Sequence, residues 1–216
     1  MKGQKGFTLL ELLISITLIA VLVVVLSMAL RSGITAYTRS KDYNRFYLPE
    51  TALFGLLWRQ MEAVVSPEDP YLASYSRLRG EKDSLSFVTT YVPQGMSEGG
   101  IFQVVYYYNQ DKKSILYAQK IITMRKDIET KPIDQLERLS KEDLAENGWL
   151  VEEMADIEDF LFAYKPSNAD TETKPEDWDE TFNKRQHLPT AIAFKLKFKD
   201  QADQATRWQI IPVGLK

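Results

Sequence analysis

The chain has 216 residues, with 27 lysines and arginines against 30 aspartates and glutamates, a formal net charge of −3. This weakly acidic and mixed charge, without a basic stripe, argues against nucleic acid as a partner. Cysteine is absent, so no disulfide supports the fold. A folded part of about 150 residues is nonetheless large enough to bury a core without crosslinks.

The first thirty residues are dominated by an apolar run. Lys2 and Lys5 precede Gly6, and from Phe7 onward the only charged residue before Arg31 is an acid. About twenty apolar residues at 1.5 Å each span a bilayer core, which predicts a transmembrane helix over residues 7–30. In a secretory signal peptide the cleavage site follows the apolar core. Here the plausible processing point, Gly6–Phe7, precedes it, so cleavage would remove a leader of residues 1–6 and leave the helix on the mature protein.

The acid within the apolar run is Glu11. A carboxylate at membrane depth costs at least about 2.5 kcal/mol, so such a residue is usually paired and functional. After cleavage, the new amine of Phe7 would lie at a similar depth, and Glu11 of one subunit could pair with the amine of its neighbour. Alternatively, Glu11 lies at the cytoplasmic interface and reaches water. The residue alone leaves both interpretations open.

The sequence from Lys5 to Glu11, KGFTLLE, resembles the type IV pilin signature. The resemblance implies that a prepilin peptidase cuts after Gly6 and methylates the amine of Phe7. It also implies that Glu11 is the charge used in assembly. The order of basic leader, glycine, phenylalanine, acid and uninterrupted apolar run is specific, because a plain membrane anchor needs no such combination.

Charge on either side of the helix predicts its orientation. Lys2 and Lys5 precede it, and positive flanks stay cytoplasmic, although Arg31, Arg39 and Lys41 follow it and weaken the asymmetry. We therefore expect a single-pass inner membrane protein with a cytoplasmic N-terminus. The headpiece would lie in the periplasm or its equivalent.

Beyond the membrane, helical spacing continues through residues 31–65. Leu53, Leu57, Met61 and Val64 recur on one face, which predicts packing against a sheet. Pro49 lacks a donor and clashes with the preceding turn, so we expect a kink or break near Leu48 and a packed helix over 49–65.

Residues 66–216 predict a β-rich headpiece. Six runs have strand-like composition or alternation: Ser84–Tyr91, Ile101–Tyr108, Ser114–Ile122, Asp159–Lys165, Thr190–Lys199 and Arg207–Val213. We expect loops at 93–100 and 167–186, and a short helix capped by Ser140 with Asp143 at the capping-box position. The predicted class is α+β: a pilin-like fold with a long N-terminal helix, its first half membrane-spanning, packed on antiparallel β-sheets.

Shorter segments resemble the minor pseudopilin family of the type II (general) secretion system known as protein J. They are GFTLLELL at 6–13, LRSG at 30–33, LSFV at 85–88, LVEEMADIEDF at 150–160 and LPTAI at 188–192. The resemblance implies a structural subunit at the tip of a short periplasmic filament. It also implies the minor pseudopilins I and K and the major pseudopilin as partners. A minor type IV pilin or a pilin-like adhesin or uptake subunit is the alternative. Pro49 and a sizeable insertion at 130–148 depart from the family pattern.

Nothing in the sequence predicts catalysis. His187 is the single histidine and stands beside Leu188-Pro189, which is typical of a loop residue. The sequence contains no GxSxG motif, no HExxH motif and no phosphate-binding glycine loop. We therefore predict no cofactor. Oxygen ligands suitable for calcium occur in two acidic patterns, Asn168-x-Asp170-x-Glu172 and Asp177-x-Asp179-Glu180. Both patterns lack the glycine and the distant bidentate glutamate of an EF-hand, so we predict no metal site. The run Tyr106-Tyr107-Tyr108 predicts cross-strand packing rather than a ligand platform.

Overall fold

The computed structural model describes residues 9–42, 48–92, 99–139, 141–166, 173–184, 187–201 and 206–214. Four α-helices are described: α1 (Leu9–Asp42), α2 (Leu48–Glu62), α3 (Pro132–Arg138) and α4 (Lys141–Glu146). Eight strands are described: β1 (Leu78–Glu81), β2 (Ser84–Thr89), β3 (Ile101–Asn109), β4 (Ser114–Ile122), β5 (Trp149–Met154), β6 (Ile157–Lys165), β7 (Ala191–Phe198) and β8 (Trp208–Pro212). The chain divides into two compact units, residues 1–49 and residues 50–216.

The strands form two antiparallel sheets. The first has the order β1-β2-β3-β4-β5 and the second the order β6-β7-β8, with every neighbour also consecutive in sequence. The predicted α+β class, a long apolar N-terminal helix followed by antiparallel sheets, is confirmed and is consistent with a pilin-like fold. All six predicted strands are present with ends within about two residues, the usual uncertainty of helix and strand ends.

Helix α2 packs on both sheets of the headpiece. Its predicted apolar face is confirmed, because Leu53, Leu57 and Met61 are buried. The Phe54 ring lies 6.4 Å from that of Phe194 in β7. Apolar contacts therefore hold one side of the helix, while a buried polar side chain, Gln60, holds it to the first sheet.

The predicted end of this helix at Val65 is wrong. Helix α2 ends at Glu62, and the chain then becomes extended and pairs with the end of β2. Val64 forms an isolated antiparallel bridge with Thr89, and the Val65 N–H donates to Val88 O at 2.9 Å. Strand pairing thus competes with the last helical turn. At the other end of α2, Pro49 occupies the first turn, as predicted. The break predicted near Leu48 adjoins residues 43–47, which lie outside the described residues.

The two sheets meet along the outer edge of β6. The N–H of Phe162 donates to Lys82 O at 2.7 Å, and the N–H of Ile157 donates to Lys113 O at 2.9 Å. These carbonyls belong to the tight turns that join β1 to β2 and β3 to β4. The edge of the second sheet is therefore covered by the hairpin ends of the first, which satisfies its backbone groups.

Strands β1 and β5 and helix α3 were not predicted. Strand β1 is four residues long and contains Gly80, so its composition is a weak strand signal. Helices α3 and α4 lie in the insertion at 130–148, and their residues Leu136 and Leu144 pack on Val105, Ala118 and Trp149 of the sheet. The insertion is thus a cover over one face of β3 to β5. Helix α4 begins after the predicted cap Ser140, which lies outside the described residues.

Candidate assembly site in the N-terminal helix

Helix α1 is long enough to cross a membrane and to extend beyond it. Its 34 residues give a length of about 50 Å at 1.5 Å each, against a hydrocarbon core of about 30 Å. Within the described residues it is the one helix whose length and composition allow a membrane span, and none of its apolar window is buried against the rest of the chain. A core helix of a soluble domain would bury such a surface, so this exposure favours a membrane environment.

Polar side chains inside the apolar part of α1 are satisfied by the helix itself. The Ser15 hydroxyl donates to Glu11 O at 2.8 Å, and the Thr17 hydroxyl donates to Ile14 O at 2.8 Å. The Ser27 hydroxyl donates to Val23 O at 2.7 Å. These bonds remove the cost of placing hydroxyl groups in lipid, where no water is available. Glu11 is then the one ionisable side chain between residues 9 and 30.

Glu11 lies in the first turn of α1, with its side chain on the helix surface. An acid in the first turn of a helix is favoured by the partial positive charge of that helix end. This effect, at most about 2 kcal/mol, is smaller than the insertion cost of about 2.5 kcal/mol or more, so the helix end alone does not account for the acid. The proposed cleavage and methylation residues, Gly6 and Phe7, lie outside the described residues.

Comparison with protein families identifies the same segment. Residues 1–27 match the family described as the prokaryotic N-terminal methylation motif. The chain therefore carries a prepilin-type signal of the type IV pilin and pseudopilin kind, joined to a hydrophobic N-terminal helix. No curated protein matches the chain. A membrane anchor followed by a soluble headpiece is the arrangement that the motif and the helix indicate.

Gln60 is the headpiece residue that sequence reasoning missed. It is fully buried on α2, where its side-chain amide donates to the Tyr117 hydroxyl at 2.9 Å and accepts from the Tyr106 hydroxyl at 2.7 Å. Burial raises the pKa of Tyr106 far above its usual range and that of Tyr117 to about 12. A polar residue within an apolar helical pattern was the available signal, because a buried amide needs partners.

The tyrosine run behaves as predicted. Tyr106 and Tyr117 are cross-strand partners with ring centroids 5.2 Å apart. The Tyr108 hydroxyl donates to Glu158 O at 2.7 Å, which ties β3 to β6. The Tyr107 hydroxyl projects from the opposite face and donates to Glu137 of α3. All three tyrosines therefore pack the sheet or fasten neighbouring elements to it.

The described part of the acidic loop predicted at 167–186 is more closely packed than its composition indicated. Trp178 and Phe182 are buried, and Phe182 exchanges two backbone hydrogen bonds of 2.8 Å with Gly80. Glu180 pairs with Lys82 at 2.6 Å and raises the pKa of that lysine. Within the described residues no group of three or more acids and histidines could hold a metal ion, and the pattern at 168–172 lies outside them. His187 is exposed in a loop.

Proposed function

We propose that this protein is a minor pseudopilin of the type II secretion system, of the protein J kind. The prepilin-type signal joined to an exposed apolar helix carries the proposal, because it supplies both a processing site and an assembly element. The segments at 30–33, 85–88, 150–160 and 188–192 that resemble protein J favour the secretion system over a type IV pilus.

Processing prepares the helix for assembly in this proposal. The prepilin peptidase cleaves after Gly6 on the cytoplasmic side of the inner membrane and methylates Phe7. The Glu11 carboxylate then pairs with the Phe7 amine of a neighbouring subunit, which offsets the cost of both charges in lipid. Close packing of apolar helices stabilises the filament, and repeated head-to-tail contacts extend it.

The headpiece contributes contacts between subunits in the periplasm. Ile121 and Leu150 are about half exposed, at 50% and 49%. They lie on the same face of the first sheet, because Leu150 pairs with Gln119, two residues before Ile121. Neighbouring exposed apolar side chains favour a surface that binds another protein. Such contacts would join the chain to proteins I and K and to the major pseudopilin, so that it helps to initiate the filament and protein export.

Substitution of Glu11 tests the assembly step. We expect Glu11→Ala and Glu11→Gln to leave the level of protein in the membrane fraction unchanged and to abolish crosslinking to the other filament subunits. The matched control is Ser15→Ala, which lies one turn away and removes only a hydrogen bond within the helix. Normal incorporation of both Glu11 variants would contradict the charge-pairing mechanism.

Capture of partners tests the choice of system. A full-length chain with a C-terminal affinity tag is crosslinked in its own cells, solubilised, and its partners identified by mass spectrometry. We expect other minor pseudopilins, and a mature chain that lacks residues 1–6 and carries one methyl group. Recovery of type IV pilus subunits, or of no filament subunit, would contradict the secretion role and favour the pilus or adhesin alternative.

A further inference from the structure

A groove lies on the outer face of the first sheet, where the cover formed by α3 and α4 ends. That cover packs on Val105 of β3, Ala118 of β4 and Trp149 of β5. The groove has a volume of about 690 Å³ and runs between residues 73–79 on one side and residues 125–134 on the other. Ligand sites in proteins typically have volumes of about 300–1,000 Å³.

Hydrogen bonds hold both walls of the groove in place: a buried side chain binds the backbone of one wall, and a side chain of the other wall binds a buried backbone carbonyl. The Gln103 amide clamps the backbone of Glu129, accepting from its N–H at 2.8 Å and donating to its carbonyl at 2.9 Å. On the other side the Ser76 hydroxyl donates to Val65 O at 2.7 Å. The groove is therefore formed before any ligand arrives, which lowers the entropic cost of binding.

The floor of the groove carries two serine hydroxyls from β2. Ser84 is 2% exposed and Ser86 is 6% exposed, and both line the groove. Among the described residues the Ser84 hydroxyl has no hydrogen-bond partner, and Ser86 has only a long contact of 3.5 Å from the Gln103 amide. A hydroxyl can donate one hydrogen bond and accept two, so both serines have unused capacity for a ligand.

The charges around the groove favour an anion. Each acid of the lining has a basic neighbour: Glu81 with Arg79 at 2.8 Å, Glu129 with Lys120 at 3.4 Å, and Asp134 with Lys131 at 3.9 Å. Two further cations of the lining, Arg77 and Arg125, form no ion pair within the part of the chain that the structure describes. The groove is thus locally positive in a chain whose net charge is −3.

We propose that this groove binds an extended acidic peptide segment of a partner protein. Carboxylates of the peptide pair with Arg77 and Arg125, and the hydroxyls of Ser84 and Ser86 donate to the same peptide. The two serines are two residues apart on one strand, a repeat of about 6.8 Å, which equals the spacing of alternate side chains in an extended peptide. A compact anion would use only one of these positions. This inference does not depend on the identity of the filament.

The test uses the full-length chain in mild detergent with a fluorescein-labelled hexaglutamate peptide, and binding is followed by anisotropy. We expect saturable binding that weakens when the ionic strength rises from about 0.1 M to about 1 M, because the Debye length falls from about 10 Å to about 3 Å. The double variant Arg77→Gln/Arg125→Gln should bind at least about tenfold more weakly, and Ser84→Ala about threefold more weakly. Lys112→Gln, in the turn between β3 and β4, is the matched loss of a cation away from the groove.

Three results would overturn the proposal. The first is equal affinity of the double arginine variant and the Lys112 variant. The second is equal binding of a labelled hexalysine peptide. The third is full displacement of hexaglutamate by an equal concentration of inorganic phosphate, which would indicate a site for a compact anion. Unchanged tryptophan fluorescence of the variants confirms that they are folded, because all four tryptophans lie in residues 50–216.

Discussion

Gly80 gives the sharpest test of how the two sheets are joined. It lies in β1, directly against the ring of Tyr164 from β6. A Cβ built at Gly80 would lie far inside the van der Waals contact distance of the ring carbons Cζ and Cε1 and of the hydroxyl oxygen. Tyr164 is fully buried, and its hydroxyl is positioned to donate to Glu81 O at 2.9 Å and to Ser84 O at 3.0 Å. The ring therefore cannot move aside without losing these contacts.

The expected cost of Gly80→Ala has three parts. Overpacking of a well-packed core costs about 1–3 kcal/mol. Displacement of the Tyr164 hydroxyl leaves buried groups unsatisfied and adds about 1–3 kcal/mol. Replacing glycine by alanine in a strand returns about 0.5–1 kcal/mol. We therefore expect the free energy of unfolding of the headpiece to fall by about 1–5 kcal/mol.

Urea unfolding of the full-length chain in detergent measures this change, with tryptophan fluorescence as the signal. The matched control is Gly55→Ala on α2, where the nearest atom to the added Cβ is an Arg59 nitrogen at 3.7 Å. There we expect a gain of up to about 1 kcal/mol, because glycine is a poor residue inside a helix. A change of less than about 0.5 kcal/mol in Gly80→Ala, the usual effect of a surface substitution, would refute the packing argument.

Two further predictions concern the buried polar contacts. Gln60→Leu should lower the free energy of unfolding by about 1–3 kcal/mol, because it leaves the Tyr106 hydroxyl buried without its acceptor. Urea unfolding at neutral pH measures this change. A variant as stable as the wild type would contradict the prediction. At alkaline pH the fold favours neutral phenols, because burial raises the pKa of Tyr117 from 10.0 to about 12 and also raises the pKa of Tyr106 and of Tyr164 well above their usual value. The unfolded chain then binds fewer protons than the native one above pH 10. The contribution of these tyrosines to the free energy of unfolding is therefore complete below pH 10 and is lost as the pH rises toward 12. Urea unfolding curves between pH 10 and 12 measure this loss, with tyrosine absorbance as the signal of ionisation. A free energy of unfolding that does not change over that range would refute the prediction.

Several local features could be predicted because they rest on short-range patterns. The six strands alternate or are rich in β-branched and aromatic residues, and α2 carries an apolar stripe with Pro49 in its first turn. Strand β1 and the end of α2 were missed or misplaced because their structure depends on partners distant in sequence. Val64 and Val65 leave the helix to pair with β2, which no pattern within residues 49–65 shows.

The N-terminal methylation motif over residues 1–27 and the apolar anchor could be read from the sequence, because both depend on the order of residues along the chain and on no tertiary contact. The α+β class could be read from periodicity. Three features became visible in the folded chain alone: Gln60 fastens α2 to the first sheet, Tyr164 joins the sheets against Gly80, and a groove lies beside β1 and β2. These features depend on residues between 17 and 84 positions apart, which meet only once the strands have found their register.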